Sequence, residues 1–233
     1  MRLKKKLLEK SYLYVIVDKK IGRNQPLSSI VKRMEPTWAI SLWGSYGRNT
    51  QAATIHPHPK GRGFRPRSIK YCGADIIQYR DKESKKEDIL KNAFLLQKSL
   101  LNTKCVFIIN DYLDVAKIVN SDGIHLGQDD VSIEIARKVL GRDKIIGISC
   151  HNLKQAFAAQ KRGADYIAIG PVFATSLKPE YKPIGLNLIK ELKAKIKIPF
   201  FAVGGINQSN INEVRAFGAE RVAVCRAILC PHN

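Results

Sequence analysis

The sequence lacks a long apolar run. None of its 233 residues lies in a stretch that approaches the roughly 20 consecutive apolar residues needed to span a bilayer. The first 18 residues, MRLKKKLLEKSYLYVIVD, have a basic end, but their apolar stretch is short, is interrupted by Glu9 and Lys10, and has no small-residue cleavage site behind it. The sequence therefore predicts no membrane span and no secretion signal, and we expect a cytoplasmic protein.

Cysteine is also scarce, and its spacing excludes the usual cysteine-based sites. The five cysteines form an odd set without a CxxC pair or a Cys/His metal spacing. Several lie in apolar runs, where a free thiol behaves as a small hydrophobic side chain. We therefore expect a reducing compartment and no disulfide framework. The cysteines are Cys72, Cys105, Cys150, Cys225 and Cys230.

Acidic residues are half as numerous as basic ones. The chain has 20 Asp and Glu against 40 Lys and Arg, a formal charge of +20, and clustered basic residues can bind nucleic acid in a salt-dependent way. The excess is uneven, because residues 19–70 hold eleven basic residues and one acidic residue. A nucleic-acid-binding protein is therefore one alternative, although this segment contains no recognisable binding motif.

Residues 36–68 show neither a helical nor a strand period. They read PTWAISLWGSYGRNTQAATIHPHPKGRGFRPRS, in which Pro57, Pro59 and Pro66 interrupt helices. A structureless stretch of this length is uncommon inside a compact domain. We predict a mobile or disordered insert here.

Eight short apolar runs recur along the rest of the chain. Most are nearly continuous in apolar residues, which is typical of strands covered on both faces. Amphipathic segments between them predict helices near 85–101, 113–120, 132–140, 153–162, 186–195 and 209–217. The apolar runs lie at 12–17, 74–79, 106–110, 123–126, 145–149, 165–170, 200–205 and 221–225.

This alternation predicts an α/β chain with a parallel sheet, and eight repeats favour a closed (β/α)8 barrel, the TIM barrel, over an open sheet. We expect one TIM-barrel domain over residues 1–233, with the irregular basic insert between strands 1 and 2. The first crossover helix is restricted to a short piece near 27–34, ended by Pro36. The eight residues after the last strand leave room only for a shortened C-terminal helix.

In such a barrel the reacting groups follow the carboxyl ends of the strands. At these positions the sequence has cations, carboxylates and glycines, which together indicate a phosphorylated substrate and a divalent metal. A Ser/His/Asp or Cys/His arrangement for nucleophilic catalysis is not among them. The candidate residues are Gln78, Arg80, Lys82, Asn110, Asp111, Asp130, Ser149, Thr175, Lys178, Gly205, Cys225 and Arg226.

Asp111 and Asp130 supply hard oxygen ligands from neighbouring strands. One or two carboxylates, together with substrate phosphate oxygens, are the usual way in which proteins hold Mg2+. The alternative is that Asp111 caps the helix beginning near Tyr112 and that Asp130 caps the helix beginning near Ser132. His125 lies inside an apolar run, and we predict a core histidine with satisfied hydrogen bonds in preference to a catalytic base.

Taken in order, these positions resemble a known family. The phrases QYRDK, ND, HLGQDD, GIS, GADYIAIGPVFAT with a following Lys, VGGI and AVCRAIL are similar in order and spacing to thiamine phosphate synthase, nearly continuously over residues 71–230. The resemblance implies a TIM barrel and a transferase that joins 4-amino-2-methyl-5-hydroxymethylpyrimidine diphosphate to a thiazole ethyl phosphate, carboxylated or not. It also implies Mg2+ as cofactor and a dissociative loss of diphosphate.

The resemblance further implies a role for each matching residue. Arg80, Lys178 and Ser149 would act in catalysis, and Asp111 and Asp130 would bind Mg2+. The pyrimidine diphosphate pocket would be formed by Gln78, Arg80, Lys82, Asn110, Ser149 and Lys178, and the thiazole phosphate would be held by Thr175, Gly205, Cys225 and Arg226.

The match has one departure at the site and leaves a second alternative open. The family's Thr-x-Thr-Lys phrase is Thr175-Ser176-Leu177-Lys178 here, so one hydroxyl is missing unless Ser176 replaces it. A related barrel that isomerises the thiazole phosphate would need neither the diphosphate residues nor the metal residues. Small phosphorylated substrates are the expected partners, without nucleic acid or membrane, and a homo-oligomer is compatible with the sequence.

Deletion of residues 37–68 tests the predicted insert. Because no strand or helix is predicted there, the shortened chain is expected to keep or improve its thermal unfolding temperature and its activity. Circular dichroism melting and product formation measure both. Deletion of 132–140, a predicted barrel helix, is the control and is expected to unfold the chain. Loss of folding in the first deletion would make the segment part of the barrel.

Overall fold

A computed structural model of the chain describes residues 3–20 and 74–229, and in them eight parallel strands form a closed barrel. Each strand pairs with the next along the chain, and the last pairs with the first. The predicted (β/α)8 barrel is confirmed, and the strand bounds differ from the apolar runs by at most two residues at either end. The strands are β1 Leu13–Asp18, β2 Ile76–Arg80, β3 Val106–Asn110, β4 Gly123–Leu126, β5 Ile145–Cys150, β6 Tyr166–Ile169, β7 Phe200–Val203 and β8 Val222–Val224.

Helices alternate with the strands over the same described residues. The six helices predicted from amphipathic spacing are all present, together with the short helix expected after the last strand and one further short helix that precedes β1. The helices are α1 Leu3–Glu9, α2 Lys86–Leu100, α3 Leu113–Ile118, α4 Ile133–Leu140, α5 Leu153–Lys161, α6 Asn187–Lys195, α7 Ile211–Ala216 and α8 Arg226–Leu229.

Helix α1 is the element that the periodicity misses. Its seven residues, LKKKLLE, are too few and too charged to carry an amphipathic signal. Tertiary contact supplies what the pattern lacks, because Leu8 is buried against Tyr14 and Phe201 inside the barrel. Burial of a leucine side chain contributes about 1.5–3 kcal/mol, enough to hold one short helix in place.

The strands are continuously apolar because the protein has two cores. One lies between the barrel and its helices, and the other fills the barrel interior. Along β2, Ile76 belongs to the interior core and Ile77 and Tyr79 belong to the outer one, as the period-two alternation of a strand requires. Both faces of every strand are therefore covered, and polar residues are confined to the strand ends and to a few interior positions.

Several predictions lie at or beyond the limits of the described residues. The insert at 36–68, the helix near 27–34, Cys72 and Cys230 lie outside them. The shortened last helix is α8, whose four residues end at Leu229. Within the described part of the chain, no helix is long and apolar enough to cross a membrane. Cys105, Cys150 and Cys225 are buried.

Gly147 on β5 tests how tightly the interior is packed. A Cβ atom there would lie 2.0 Å from the Tyr166 ring carbon Cζ on β6. We expect Gly147→Ala to lower the free energy of unfolding by about 2 kcal/mol or more, because overpacking moves the ring. Gly163→Asn is the control, since Gly163 has φ +87° with open space around it and Asn tolerates that backbone.

Denaturant unfolding of both variants measures the difference. The control is expected to stay within about 1 kcal/mol of the unsubstituted protein. Equal stability of the two variants would show that Tyr166 is not held against Gly147.

Candidate active site

A cavity of about 870 Å3 opens at the carboxyl ends of the strands, and all eight strands or the residues directly after them contribute to its lining. Nine of the twelve predicted residues line it. Lys82, Asp111 and Asp130 do not, and they form a neighbouring cluster at the ends of β2, β3 and β4. The nine lining residues are Gln78, Arg80, Asn110, Ser149, Thr175, Lys178, Gly205, Cys225 and Arg226.

On the β1 and β2 side of the cavity, a buried carboxylate holds the Arg80 side chain in place. Asp18, only 2% exposed, forms an ion pair with Arg80 and accepts a hydrogen bond from the Lys20 backbone N–H at 2.9 Å. Asp18 was absent from the predicted site. The signal was available, because Asp18 ends the first apolar run just as Arg80 ends the second.

Asp111 and Asp130 come together as an acidic pair. Burial and the adjacent Asp130 carboxylate raise the pKa of Asp111, and Lys82 opposes that rise. The Lys82 Nζ atom lies 2.9 Å from Asp111 Oδ2. Asp130 Oδ2 accepts a hydrogen bond from the Gly127 backbone N–H at 2.5 Å.

The capping alternative for these two aspartates is wrong. Helix α3 begins after Tyr112 without a side-chain cap, and Asp111 has the unusual φ of +61°. Helix α4 is capped by Ser132, whose side chain accepts a hydrogen bond from the Ile135 backbone N–H. Neither carboxylate is therefore used at a helix end.

The acidic pair fits the ligand chemistry of Mg2+. Two carboxylates with hard oxygen atoms repel one another, and the Lys82 ammonium group already partly neutralises them. Among residues 3–20 and 74–229, no group of three or more His, Cys, Asp or Glu side chains could hold a metal ion. Asp111 and Asp130 would thus leave the remaining coordination positions to phosphate oxygens or water.

The loop between β6 and α6 brings Lys178 to the cavity. Its Nζ atom lies 5.1 Å from the centre of the Tyr181 ring, which stacks on His151 at 4.3 Å between ring centres. His151 Nδ1–H donates to the Gly170 carbonyl oxygen at 2.5 Å and so ties the stack to the end of β6. Burial, followed by the nearby Arg80 and Lys82, lowers the pKa of Lys178. These crowded cations make this part of the cavity attractive to an anion.

The sequence prediction missed His151 and Tyr181. His151 directly follows β5, so the rule that selected Ser149 could have selected it as well. Tyr181 lies in a loop without a period, and only the folded loop places its ring between His151 and Lys178.

A second group of predicted site residues, two glycines and an arginine, lies at the ends of β7 and β8. Gly204 and Gly205 have φ values of +100° and +64°, and a Cβ atom on Gly205 would lie 2.7 Å from the Ala174 carbonyl oxygen. Only glycine fits this close approach of two backbones. Arg226 Nη1 donates to the Ser176 hydroxyl oxygen at 2.7 Å. Ser176, the hydroxyl residue that the sequence offers in place of the missing second threonine, therefore contacts Arg226.

His125 is a buried histidine with both ring nitrogens hydrogen-bonded, as predicted. Nδ1 lies 3.0 Å from the Tyr166 hydroxyl and Nε2 lies 2.9 Å from the Ser149 hydroxyl. Burial, assisted by Lys178, lowers the pKa of His125 to about 3. Ser149 and His125 thus form a Ser–His contact. It lacks the carboxylate of a triad, and a base this weak cannot activate a serine near neutral pH.

Comparison with known proteins agrees with this site. The family model described as thiamine monophosphate synthase matches residues 67–228. The thiamine-phosphate synthase of Shouchella clausii is 46% identical over 162 residues, covering 69% of this chain and 78% of the relative. That of Halalkalibacterium halodurans is 46% identical over 158 residues, 67% of this chain and 75% of the relative.

A solved structure gives the same result at the level of the fold. The thiamine phosphate pyrophosphorylase of Pyrococcus furiosus superimposes with a TM-score of 0.72 at 30% identity, over 96% of this chain and 89% of that one. The family match covers β2 to β8 and contains every predicted site residue. The chain therefore belongs to the thiamine monophosphate synthase family.

Proposed function

We propose that this chain joins 4-amino-2-methyl-5-hydroxymethylpyrimidine diphosphate to a thiazole ethyl phosphate, giving thiamine phosphate and diphosphate. The observation that supports the proposal is that one cavity has two separate regions suited to an anion. Arg80 and Lys178 form one, with the acidic pair beside it, and the Gly204–Gly205 turn with Arg226 forms the other. Two phosphorylated substrates that react with each other need such an arrangement.

The diphosphate belongs at the first region. Arg80 can bind two phosphate oxygens with its planar guanidinium group, and Asp18 holds that group in place. Lys178 adds a point charge whose position is fixed by the Tyr181 ring. Charges that are already oriented stabilise a leaving anion without reorganisation during the reaction.

The acidic pair would hold the metal. Asp111 and Asp130 are the ligands, and Mg2+ bound there would neutralise charge on the departing diphosphate. Lys82 forms an ion pair with Asp111 in this structure. A metal ion that took the place of its ammonium group would leave Lys82 free to move toward the phosphates. A divalent cation held by the acidic pair would thus add positive charge beside the diphosphate, in a region where the lysine and arginine side chains are already crowded.

The reaction needs no side-chain nucleophile. The bond between the pyrimidine methylene carbon and the diphosphate oxygen breaks first, and its electron pair leaves with the diphosphate. The aminopyrimidine carries the positive charge, and the thiazole nitrogen lone pair then forms the new carbon–nitrogen bond. The site agrees with this route, because the ring beside the Ser149 hydroxyl is that of His125, a weak base whose pKa burial lowers to about 3.

The thiazole phosphate belongs at the second region. Gly204, Gly205, Cys225 and Arg226 line the cavity, and their backbone N–H groups would donate to a phosphate bound there. Thr175 and Ser176 line the same part of the cavity. Anchoring the thiazole by its phosphate orients its nitrogen toward the pyrimidine, and such orientation supplies much of the rate of a two-substrate reaction.

The two-substrate assay tests the function. Purified protein is expected to form thiamine phosphate from the two phosphorylated substrates with Mg2+ and to lose that activity in EDTA. Recovery on adding Mg2+ is the control for the chelator. Isomerisation of the thiazole phosphate without joining would instead favour the related isomerase, and absence of both reactions would contradict the proposal.

Substitution of the acidic pair tests the metal site. Asp111→Asn and Asp130→Asn are each expected to reduce kcat/KM by about 100-fold or more, because each removes a charge that holds the metal. Asp129→Asn is the matched control, since Asp129 directly precedes Asp130 in the same exposed loop and is not among the charges that shift the pKa of Asp111. Near-normal activity of both pair variants would contradict the metal assignment.

A further inference from the structure

Four hydrogen bonds join five side chains across the interior of the barrel. Gln78 Nε2 donates to the Tyr14 hydroxyl at 2.6 Å, and the Tyr14 and Tyr166 hydroxyls lie 2.7 Å apart. The Tyr166 hydroxyl lies 3.0 Å from His125 Nδ1, and His125 Nε2 lies 2.9 Å from Ser149 Oγ. We call this set, from Gln78 to Ser149, the buried relay.

The buried relay begins and ends at the cavity. Gln78 and Ser149 line the cavity, while Tyr166 at the middle is 0% exposed. Its ring fills the space left by Gly147 and stacks on His125 with 5.6 Å between ring centres. The side chains that carry the hydrogen bonds are therefore held in fixed positions, and a network of this kind has few alternative arrangements.

The amide at one end sets the direction of every proton in the buried relay. Because Gln78 donates, the Tyr14 oxygen accepts, and the Tyr14 hydrogen points to the Tyr166 oxygen. The Tyr166 hydrogen then points to His125 Nδ1. His125 must carry its single ring hydrogen on Nε2, from which it donates to Ser149 Oγ.

The opposite direction is costly. Tyr14 would then accept from both Gln78 and Tyr166, and among the contacts of the described residues its own hydrogen would have no acceptor. An unpaired buried donor costs about 1–3 kcal/mol. A hydrogen on both ring nitrogens of His125 would also disrupt this direction of the hydrogen bonds. Burial keeps the ring neutral by lowering its pKa to about 3.

We propose that the buried relay fixes Ser149 as a hydrogen-bond donor into the cavity, so that Tyr166 and His125 are positioning residues for an acceptor atom of the pyrimidine diphosphate. The Ser149 oxygen is occupied by the His125 Nε2–H group, and its own hydrogen is left for the ligand. The identity of the ligand rests on the proposed function. The direction of the protons depends on the structure alone.

The tautomer of His125 tests the direction of the protons without any substrate. Full-length protein labelled with 15N in histidine is expected to show His125 as the Nε2–H tautomer in long-range 15N–1H spectra at neutral pH. Loss of the signal in His125→Gln assigns it. In Tyr166→Phe the ring is expected to sample both tautomers. A dominant Nδ1–H form in the unsubstituted protein would overturn the proposal.

Kinetics test the consequence for the substrate. Tyr166→Phe keeps the ring and removes only the hydroxyl, and it is expected to raise KM for the pyrimidine diphosphate by about 3- to 10-fold, the effect of one hydrogen bond. KM for the thiazole phosphate is expected to stay unchanged. Tyr79→Phe is the matched control, since the equally buried Tyr79 hydroxyl bonds to Asp81 on the outer side of the barrel.

A double-mutant cycle separates positioning from packing. Ser149→Ala and Tyr166→Phe are expected to be non-additive, so that the double variant binds no worse than Ser149→Ala alone. Additive effects would overturn the proposal. If the unsubstituted protein made no thiamine phosphate, the proposed function would fail, and the dissociation constant of the pyrimidine diphosphate in the same four proteins would replace KM.

Discussion

Pairing of β8 with β1 closes the barrel, and that closure decides which side chains can meet. All eight strands run in the same direction, so their carboxyl ends surround one opening. Arg80 on β2 and Lys178 after β6 come from strands far apart in the sequence, yet Arg80 is close enough to help lower the pKa of Lys178. An open sheet would place the same residues along an edge, where they could not surround a substrate. Both anion-binding regions and the buried relay exist only because the sheet closes.

Closure also brings several cations close together, where they repel one another. Each of these cations has a partner that offsets the repulsion. Arg80 is paired with buried Asp18, Lys82 with Asp111, and Lys178 lies against the Tyr181 ring. Without these partners, mutual repulsion and loss of hydration would drive the cations outward. The formal charge of +20 is thus misleading as a description of the site, because half of that excess lies in residues 19–70. The charges that matter to the cavity are few, and each has a defined neighbour.

Strand and helix positions could be read from the sequence because both depend on local patterns. Apolar runs gave β1 to β8 and amphipathic spacing gave α2 to α7, whereas α1 depends on where Leu8 is buried. Site residues that end a strand or directly follow it could be found from the end of each apolar run, and Asp18, the last residue of β1, meets the same criterion. The roles of Tyr14 and Tyr166 could not be found this way. Each looks like a core residue, and only the closed barrel shows that their hydroxyl groups meet.

The neutral interior of the barrel and its charged opening suit the two opposite charges that develop in the proposed reaction. As the diphosphate leaves, negative charge grows beside Arg80, Lys178 and the acidic pair, while positive charge grows on the pyrimidine. A protonated histidine below the pyrimidine would repel that positive charge. Burial, assisted by the positive charge of Lys178, lowers the pKa of His125 and keeps the ring uncharged, while each ring nitrogen lies within hydrogen-bond distance of a neutral hydroxyl group. In the proposed reaction, a polar but uncharged interior would therefore favour charge separation together with the cations at the opening.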